Sequence, residues 1–298
     1  MHWLNQIAEQ AALFQPLVLI FLLVLSRIGG LVMVAPVFGA AAVPMQVRAL
    51  LTLTLALLIL PTQLGLNLDR PGDLATLAIA PDREIGPVDW QTGTADPGNL
   101  VNYAVFLGGE FLVGLVLGAG VAILIGGAEM VGQMISQISG MAVANVLNPT
   151  LDAEVPIISQ LLHMLALAIF LIIGGHRQLM DALLGTFRTI PLGTGSAEAP
   201  MVEALSTLVT QSLEFGVRAA APAVAALLLS TLVLGLIGRT LPQLNILVIG
   251  FGINTIVGLA TLALTIGAVG WMFDEQITSA LELLIDALHS SAGFSPGG

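Results

Sequence analysis

Apolar residues come in long runs along the chain, and the polar residues between them mark where each run ends. Six blocks stand out, at about 14–38, 45–64, 101–138, 156–174, 202–237 and 244–273. Each is long enough to cross a hydrocarbon core, which requires roughly 20 apolar residues. In lipid a lone strand cannot satisfy its backbone, so helices are the default. The expected fold is all-α: a multi-helix integral membrane protein with broken helices, residues 1–298 forming one membrane domain. The stretch 67–100 is rich in Pro, Gly and Asp and reads as a polar, solvated loop insert. Segment 188–200 reads as a second loop, and 290–298 as a flexible tail. No basic residue precedes Arg27, whereas a cleaved signal peptide carries a positive region ahead of its apolar core. The first block is therefore expected to be retained.

Composition agrees with the pattern. The chain is 56% hydrophobic and only 9% charged, against about 25% charged residues in a soluble domain. It lacks the polar surface that a soluble fold of this size requires. Cysteine is absent, which removes disulfides and thiol chemistry. A net charge of −11 argues against nucleic-acid partners. All eight basic residues are arginine. This fits either internal bidentate ion pairs or the codon bias of a GC-rich genome, and their spread gives no orientation by the positive-inside rule.

Polar residues at membrane depth usually face other protein or water. Arg27 interrupts the first block, Glu110 the third, and Arg239 lies near the end of the fifth. Two readings stand for each: snorkelling to an interface, or a partner on another helix or chain. Glu214 and Arg218, and Arg177 and Asp181, are spaced to pair within one helix. Gly114, Gly118, Ala122 and Gly126 form a small-residue ridge where another helix can approach closely. Glu129, Gln133 and Gln137 then continue at four-residue spacing, a face suited to water or a neighbouring subunit. His163 lies within an apolar block and reads as a satisfied core histidine. There is no HExxH, no histidine pair at metal-ligand spacing, no P-loop, no GxSxG and no dinucleotide fingerprint. No enzyme activity, cofactor or metal is expected.

One segment remains unaccounted for. "GQMISQISGMAVANVLNP" (132–149) is half-polar, yet it sits between two of the most apolar stretches. Irregular backbone at membrane depth is tolerated only inside protein or along an aqueous cavity. On the residues alone, a broken helix buried between neighbours explains it. Its neighbours in the sequence add to this. "LSRIGGLVMVAPVFGAAAVPMQVRALLTLTLALLILP" (25–61) precedes it. "VPIISQLLHMLALAIFLIIGGH" (155–176), "FRTIPLG" (187–193) and "GLIGRTLPQLNILVIGFGINTIVGL" (235–259) follow. The ordered set resembles the FliR family of the flagellar type III secretion export gate, and injectisome relatives share it more loosely. "RTLPQLNILVIGF" is the most specific piece.

The resemblance implies a non-enzymatic subunit at the basal body in the bacterial inner membrane. It would pack with FliP-type and FliQ-type subunits and an FlhB-type switch protein around a channel for unfolded flagellar subunits. It implies that 132–149 plugs the closed channel. Gly140 and Pro149 would allow bending, and Met134 and Met141 would give deformable packing. Gln133, Ser136, Ser139, Asn145 and Asn148 would satisfy backbone groups when the loop moves. Arg27, Arg48, Glu110, Glu129, Arg239, Pro242, Gln243 and Asn245 are the expected interface or buried polar residues. The chain departs from the family where Gln133 and Asn148 replace acidic residues and where Gly252 replaces the proline after "GF". The 67–100 loop exceeds the family norm, and no fused C-terminal switch domain is expected. An injectisome subunit, a secondary transporter and, more distantly, an intramembrane enzyme are the alternatives. A transporter would place broken helices in paired halves.

Overall fold

The computed structural model describes residues 2–39, 43–63, 97–140, 156–193, 199–241, 243 and 246–291. Among the described residues there are seven helices and no strand. They are α1 (His2–Val34), α2 (Met45–Gln63), α3 (Pro97–Ile138), α4 (Ile157–Ile172), α5 (Gly175–Thr189), α6 (Ala199–Thr240) and α7 (Ile246–Ser291).

The helices differ from six simple spans in instructive ways. Four are long and apolar enough to cross a membrane: windows at Leu17–Val34, Met45–Gln63, Tyr103–Ile138 and Pro200–Thr240. The fourth block becomes α4 alone, too short to count as a span by itself, and α5 follows it at a bend of 65°. The physical reason is Gly174, which adopts φ 76, a left-handed conformation that ends a helix cheaply only for glycine. The sixth block contributes only a shorter apolar stretch, Ile249–Leu264, within the 46 residues of α7. Helix α3 starts at Pro97, inside the expected 67–100 loop, because proline suits the first helical position. Helix α7 runs to Ser291, just past the expected start of the tail at 290.

The chain divides into two compact units: residues 1–121 with 177–205 and 281–298, and residues 122–176 with 206–280. The first unit buries Ile20, Leu23, Val24, Ile28 and Leu31 of α1, Leu117 of α3 and Leu179 and Leu183 of α5. The second buries Ile125, Ile135, Leu162, Phe170, Phe215 and Phe273, and the Phe215 and Phe273 rings lie 6.0 Å apart. The apolar window of α3 is 61% buried, against 17% for α2 and 22% for the α6 window, so α3 is a core helix and the other two present apolar faces outward. Leu50, Leu53, Leu57 and Leu58 of α2 and Leu228, Leu229, Leu232 and Leu236 of α6 are exposed. In water such faces would be unstable; lipid or a partner subunit accommodates them.

Helices α6 and α7 form an antiparallel hairpin within the second unit. Ser230 Oγ donates to Asn254 Oδ1 at 2.7 Å, and Asn254 Nδ2 donates to Thr231 Oγ1 at 3.4 Å. Helix α6 has 42 residues, about 63 Å at 1.5 Å per residue, roughly twice a hydrocarbon core.

Candidate functional site

Arg27 and Glu110 are both fully buried, and they meet: Arg27 Nε donates to Glu110 Oε2 at 2.5 Å. Both lie inside membrane-length apolar windows, where an unpaired charge is expensive. The sequence around residue 190 completes the arrangement. Pro191 stops α5, so no helical turn follows to supply a donor to the carbonyl of Ile190. Arg27 supplies the missing donors, with Nη1 3.3 Å and Nη2 3.2 Å from Ile190 O. Nη1 also reaches Thr186 O at 2.9 Å and Thr186 Oγ1 at 3.2 Å. A cation at a helix C-terminus is favoured by the helix dipole as well. Two residues beyond Pro191, Gly193 takes φ 85 and donates its N–H to Glu110 Oε1 at 2.8 Å. The Phe187 ring lies 4.6 Å from the guanidinium carbon, a cation–π contact. Thus "FRTIPLG" is a socket: each of its polar groups that meets Arg27 or Glu110 is a turn or helix-end group exposed by the Pro–Leu–Gly break.

Two glycines make the pair possible. A Cβ at Gly114 would overlap the Arg27 carbonyl oxygen and lie 2.9 Å from Leu31 N. A Cβ at Gly30 would overlap the Phe111 carbonyl oxygen and lie 2.9 Å from Leu115 N. Helices α1 and α3 therefore touch backbone to backbone, which brings two charged residues on them within hydrogen-bond reach. Gly118 continues the contact, its Cβ position 2.9 Å from Leu31 O. Gly126 does not: nothing lies within 4 Å of its Cβ position.

The second candidate region is the end of α3, in the second unit. Gln133 and Gln137 are exposed, Met134 is half-buried, and the helix stops before Gly140, which has φ 81. Met141, Asn145, Asn148 and Pro149 lie outside the described residues. Glu129 is half-buried. Gln133 Nε2 donates to Glu129 Oε1 at 3.5 Å, and His163 Nδ1 of α4 lies 3.4 Å from Glu129 Oε2. His163 is not the satisfied core histidine expected from its apolar surroundings. Its side chain is 41% exposed, and Nδ1 is buried without hydrogen-bond geometry to any acceptor. Gly132 crosses α4 closely, a Cβ there falling 2.5 Å from Ser159 Cα. Ser136 Oγ and Ser159 Oγ are buried there without hydrogen-bond partners.

Residues 18–280 match the family described as bacterial export proteins, family 1. The chain belongs to that family. Proteins similar to it include several FliR proteins. The chain is 28% identical to the flagellar biosynthetic protein FliR of Escherichia coli (strain K12) over 179 residues, covering 60% of this chain and 69% of that one. It is 24% identical to the FliR of Caulobacter vibrioides over 267 residues, covering 88% and 94%. It is 29% identical to the FliR of Bacillus subtilis (strain 168) over 234 residues, covering 77% and 79%.

The other expected residues of this FliR-family chain are dispersed. Arg48 is half-buried at the start of α2, its Nε donating to Val43 O at 3.2 Å. Arg239 is exposed in the last turn of α6, with no partner among the described residues. Gln243 is exposed, while Pro242 and Asn245 lie outside the described residues. Glu214 and Arg218 pair at 2.5 Å, with the acid N-terminal as helix geometry prefers. Arg177 and Asp181, in the reverse order, are both exposed and do not pair. Sequence reasoning did not single out Gly30, Thr186, Ile190 or Gly193. Among the described residues no group of three or more His, Asp or Glu side chains has metal-holding geometry.

Proposed function

We propose that the chain is a subunit of the flagellar protein-export apparatus in the bacterial inner membrane. In this reading it acts as one membrane domain. It packs with FliP-type and FliQ-type subunits and an FlhB-type switch protein to form a gated channel for unfolded flagellar subunits. The match to the export family along residues 18–280 carries the assignment. The outward apolar faces of α2 and α6 support a subunit role, since a partner's helices pack on such surfaces as lipid does. The Arg27–Glu110 socket supports a rigid frame, because it ties α1, α3 and the end of α5 together by charge-assisted bonds.

The gate is the segment 132–149. Helix α3 presents exposed amides on its last turns and ends at a left-handed glycine directly before 141. Such an end suits a hinge, because Gly140 changes φ without the strain a Cβ would bring. Met134 and Met141 supply deformable apolar packing around varied chains in transit. Deleting 140–146 will make cells expressing the assembled complex permeable to ions, measured as dissipation of membrane potential. Unchanged permeability in a complex that still assembles rules out the plug.

Arg239 tests the partner surface. It is an exposed cation at the end of an apolar helix, beside exposed Leu232 and Leu236. A partner carboxylate or carbonyl that receives it will be orphaned in Arg239→Ala. Affinity capture from native membranes is then expected to recover at least about tenfold less of the co-purifying subunits. Full recovery would show that Arg239 merely snorkels.

A further inference from the structure

A cavity of about 330 Å³ opens between α6 and α7 in the second unit. Gln211, Glu214 and Arg218 line it from α6, and Glu275, Gln276 and Ser279 from α7. Its volume is at the small end of ligand sites, which run about 300–1,000 Å³. Its chemistry is mixed but uneven. Arg218 is paired with Glu214 and still has guanidinium N–H groups left over. The Glu275 carboxylate has no partner among the described residues, and Gln276 Oε1 is buried without one. Pro222 has no N–H, so the carbonyl of Arg218 one turn earlier also lacks its intrahelical donor. The site thus holds two side-chain acceptors without a partner among the described residues, Glu275 and Gln276 Oε1, beside a guanidinium that can receive an anion.

Its position is as telling as its lining. Below the cavity, residues 219–238 of α6 contain no charged side chain. That run measures roughly 30 Å, one hydrocarbon core. The hairpin turns at its far end, beyond Thr240. On α7 the residue next to the lining is Trp271, 72% exposed. Exposed tryptophans collect where headgroups meet acyl chains. Within that run, exposed Leu228, Leu229 and Leu232 give acyl chains an apolar wall on α6.

We propose that this cavity binds the headgroup of an ethanolamine phospholipid. The primary ammonium would donate to Glu275 and Gln276 Oε1, and the phosphate would accept from Arg218 and the Gln211 amide. A choline headgroup has no N–H to donate, and a glycerol headgroup donates only neutral O–H groups, so neither gives Glu275 the charge-assisted N–H bond that a primary ammonium supplies. The site is independent of the gate and of Arg239.

The test uses the full-length chain with its partner subunits in nanodiscs. The discs carry equal parts phosphatidylethanolamine, phosphatidylcholine and phosphatidylglycerol of identical chains. Lipid retained after detergent exchange is read by native mass spectrometry. Phosphatidylethanolamine is expected to be enriched over both others. Glu275→Gln removes a charge-assisted bond and should lower that enrichment by about tenfold. Glu275→Asp should restore part of it, which a folding defect would not allow. Both variants place the change on an exposed side chain, and size-exclusion profiles check assembly. Equal retention of the three lipids, or enrichment unchanged in Glu275→Gln, overturns the proposal. Competition by soluble phosphoethanolamine at the same concentration as the lipid would also overturn it, because the acyl chains would then contribute nothing.

Discussion

Glu110→Ala will destabilise the first unit severely, and Arg27→Ala nearly as much. Each leaves the other charge fully buried with its strongest partner gone. Breaking a buried pair in this way costs about 3–5 kcal/mol, a large part of the roughly 5–15 kcal/mol that holds a typical domain folded. The two single variants are not equivalent. Without Glu110, the guanidinium keeps the carbonyls of Thr186 and Ile190, whereas the Gly193 N–H loses its acceptor. Without Arg27, the carboxylate keeps the Gly193 N–H but no cation. The informative experiment is the double variant Arg27→Leu with Glu110→Leu. Removing both charges also removes both desolvation penalties, so the double variant should be more stable than either single one. It should not reach wild type, because Ile190 O and Gly193 N–H remain buried or half-buried without partners, at about 1–3 kcal/mol each. Denaturant titration of the detergent-solubilised chain gives the order. A double variant that shows the sum of the two single losses would mean that Arg27 and Glu110 stabilise the fold separately and not through each other.

Much of this site was visible in the sequence, but its wiring was not. Arg27 and Glu110 stand out because each interrupts an apolar run, and burial of such residues next to partners follows from the cost of a lone charge in lipid. Their pairing spans 83 positions, and nothing in residue type along the chain links them. The third member of the arrangement was harder still. Apart from the Thr186 hydroxyl, the acceptors at Thr186 and Ile190 are backbone carbonyls, which any residue carries. Only Pro191 and Gly193 betray that this helix end leaves such groups open, and that signal reads equally well as an ordinary loop.

The same limit explains the histidine and the glycines. His163 lies in an apolar block, and the sequence cannot say that its side of α4 faces Glu129 and partial solvent. The small-residue ridge on α3 correctly marks a close approach at Gly114 and Gly118, yet Gly126 faces open space. A ridge identifies where contact is permitted; the crossing helix decides where it occurs. Gly30 is the reciprocal case, since its importance depends on facing Phe111 and Leu115 across the contact. Segments 141–155 and 64–96 hold most of the sequence's remaining irregular polar character, and they lie outside the described residues.

Gly114→Ala will come second in effect only to loss of the ion pair. One methyl group is a small change in volume, but its surroundings here are backbone atoms: the Arg27 carbonyl oxygen and the Leu31 nitrogen. A clashing side chain can rotate away, whereas a clashing helix has to move as a whole. Helix α1 would shift from α3 at the turn that holds Arg27, stretching the 2.5 Å bond to Glu110 one turn back along α3. The expected loss is the overpacking cost of about 1–3 kcal/mol, plus whatever part of the pair is released. The ridge itself supplies the controls. Gly118→Ala meets Leu31 O at 2.9 Å and Ala35 N at 3.0 Å, a milder clash, and should lose less. Gly126→Ala meets nothing within 4 Å and should be neutral or stabilising by up to about 1 kcal/mol, because alanine is the better helix former. Melting temperatures of the three purified variants should therefore fall in the order 126, 118, 114, from highest to lowest. If Gly114→Ala melts with Gly126→Ala, α1 and α3 do not touch backbone to backbone, and Arg27 must reach Glu110 across a wider gap.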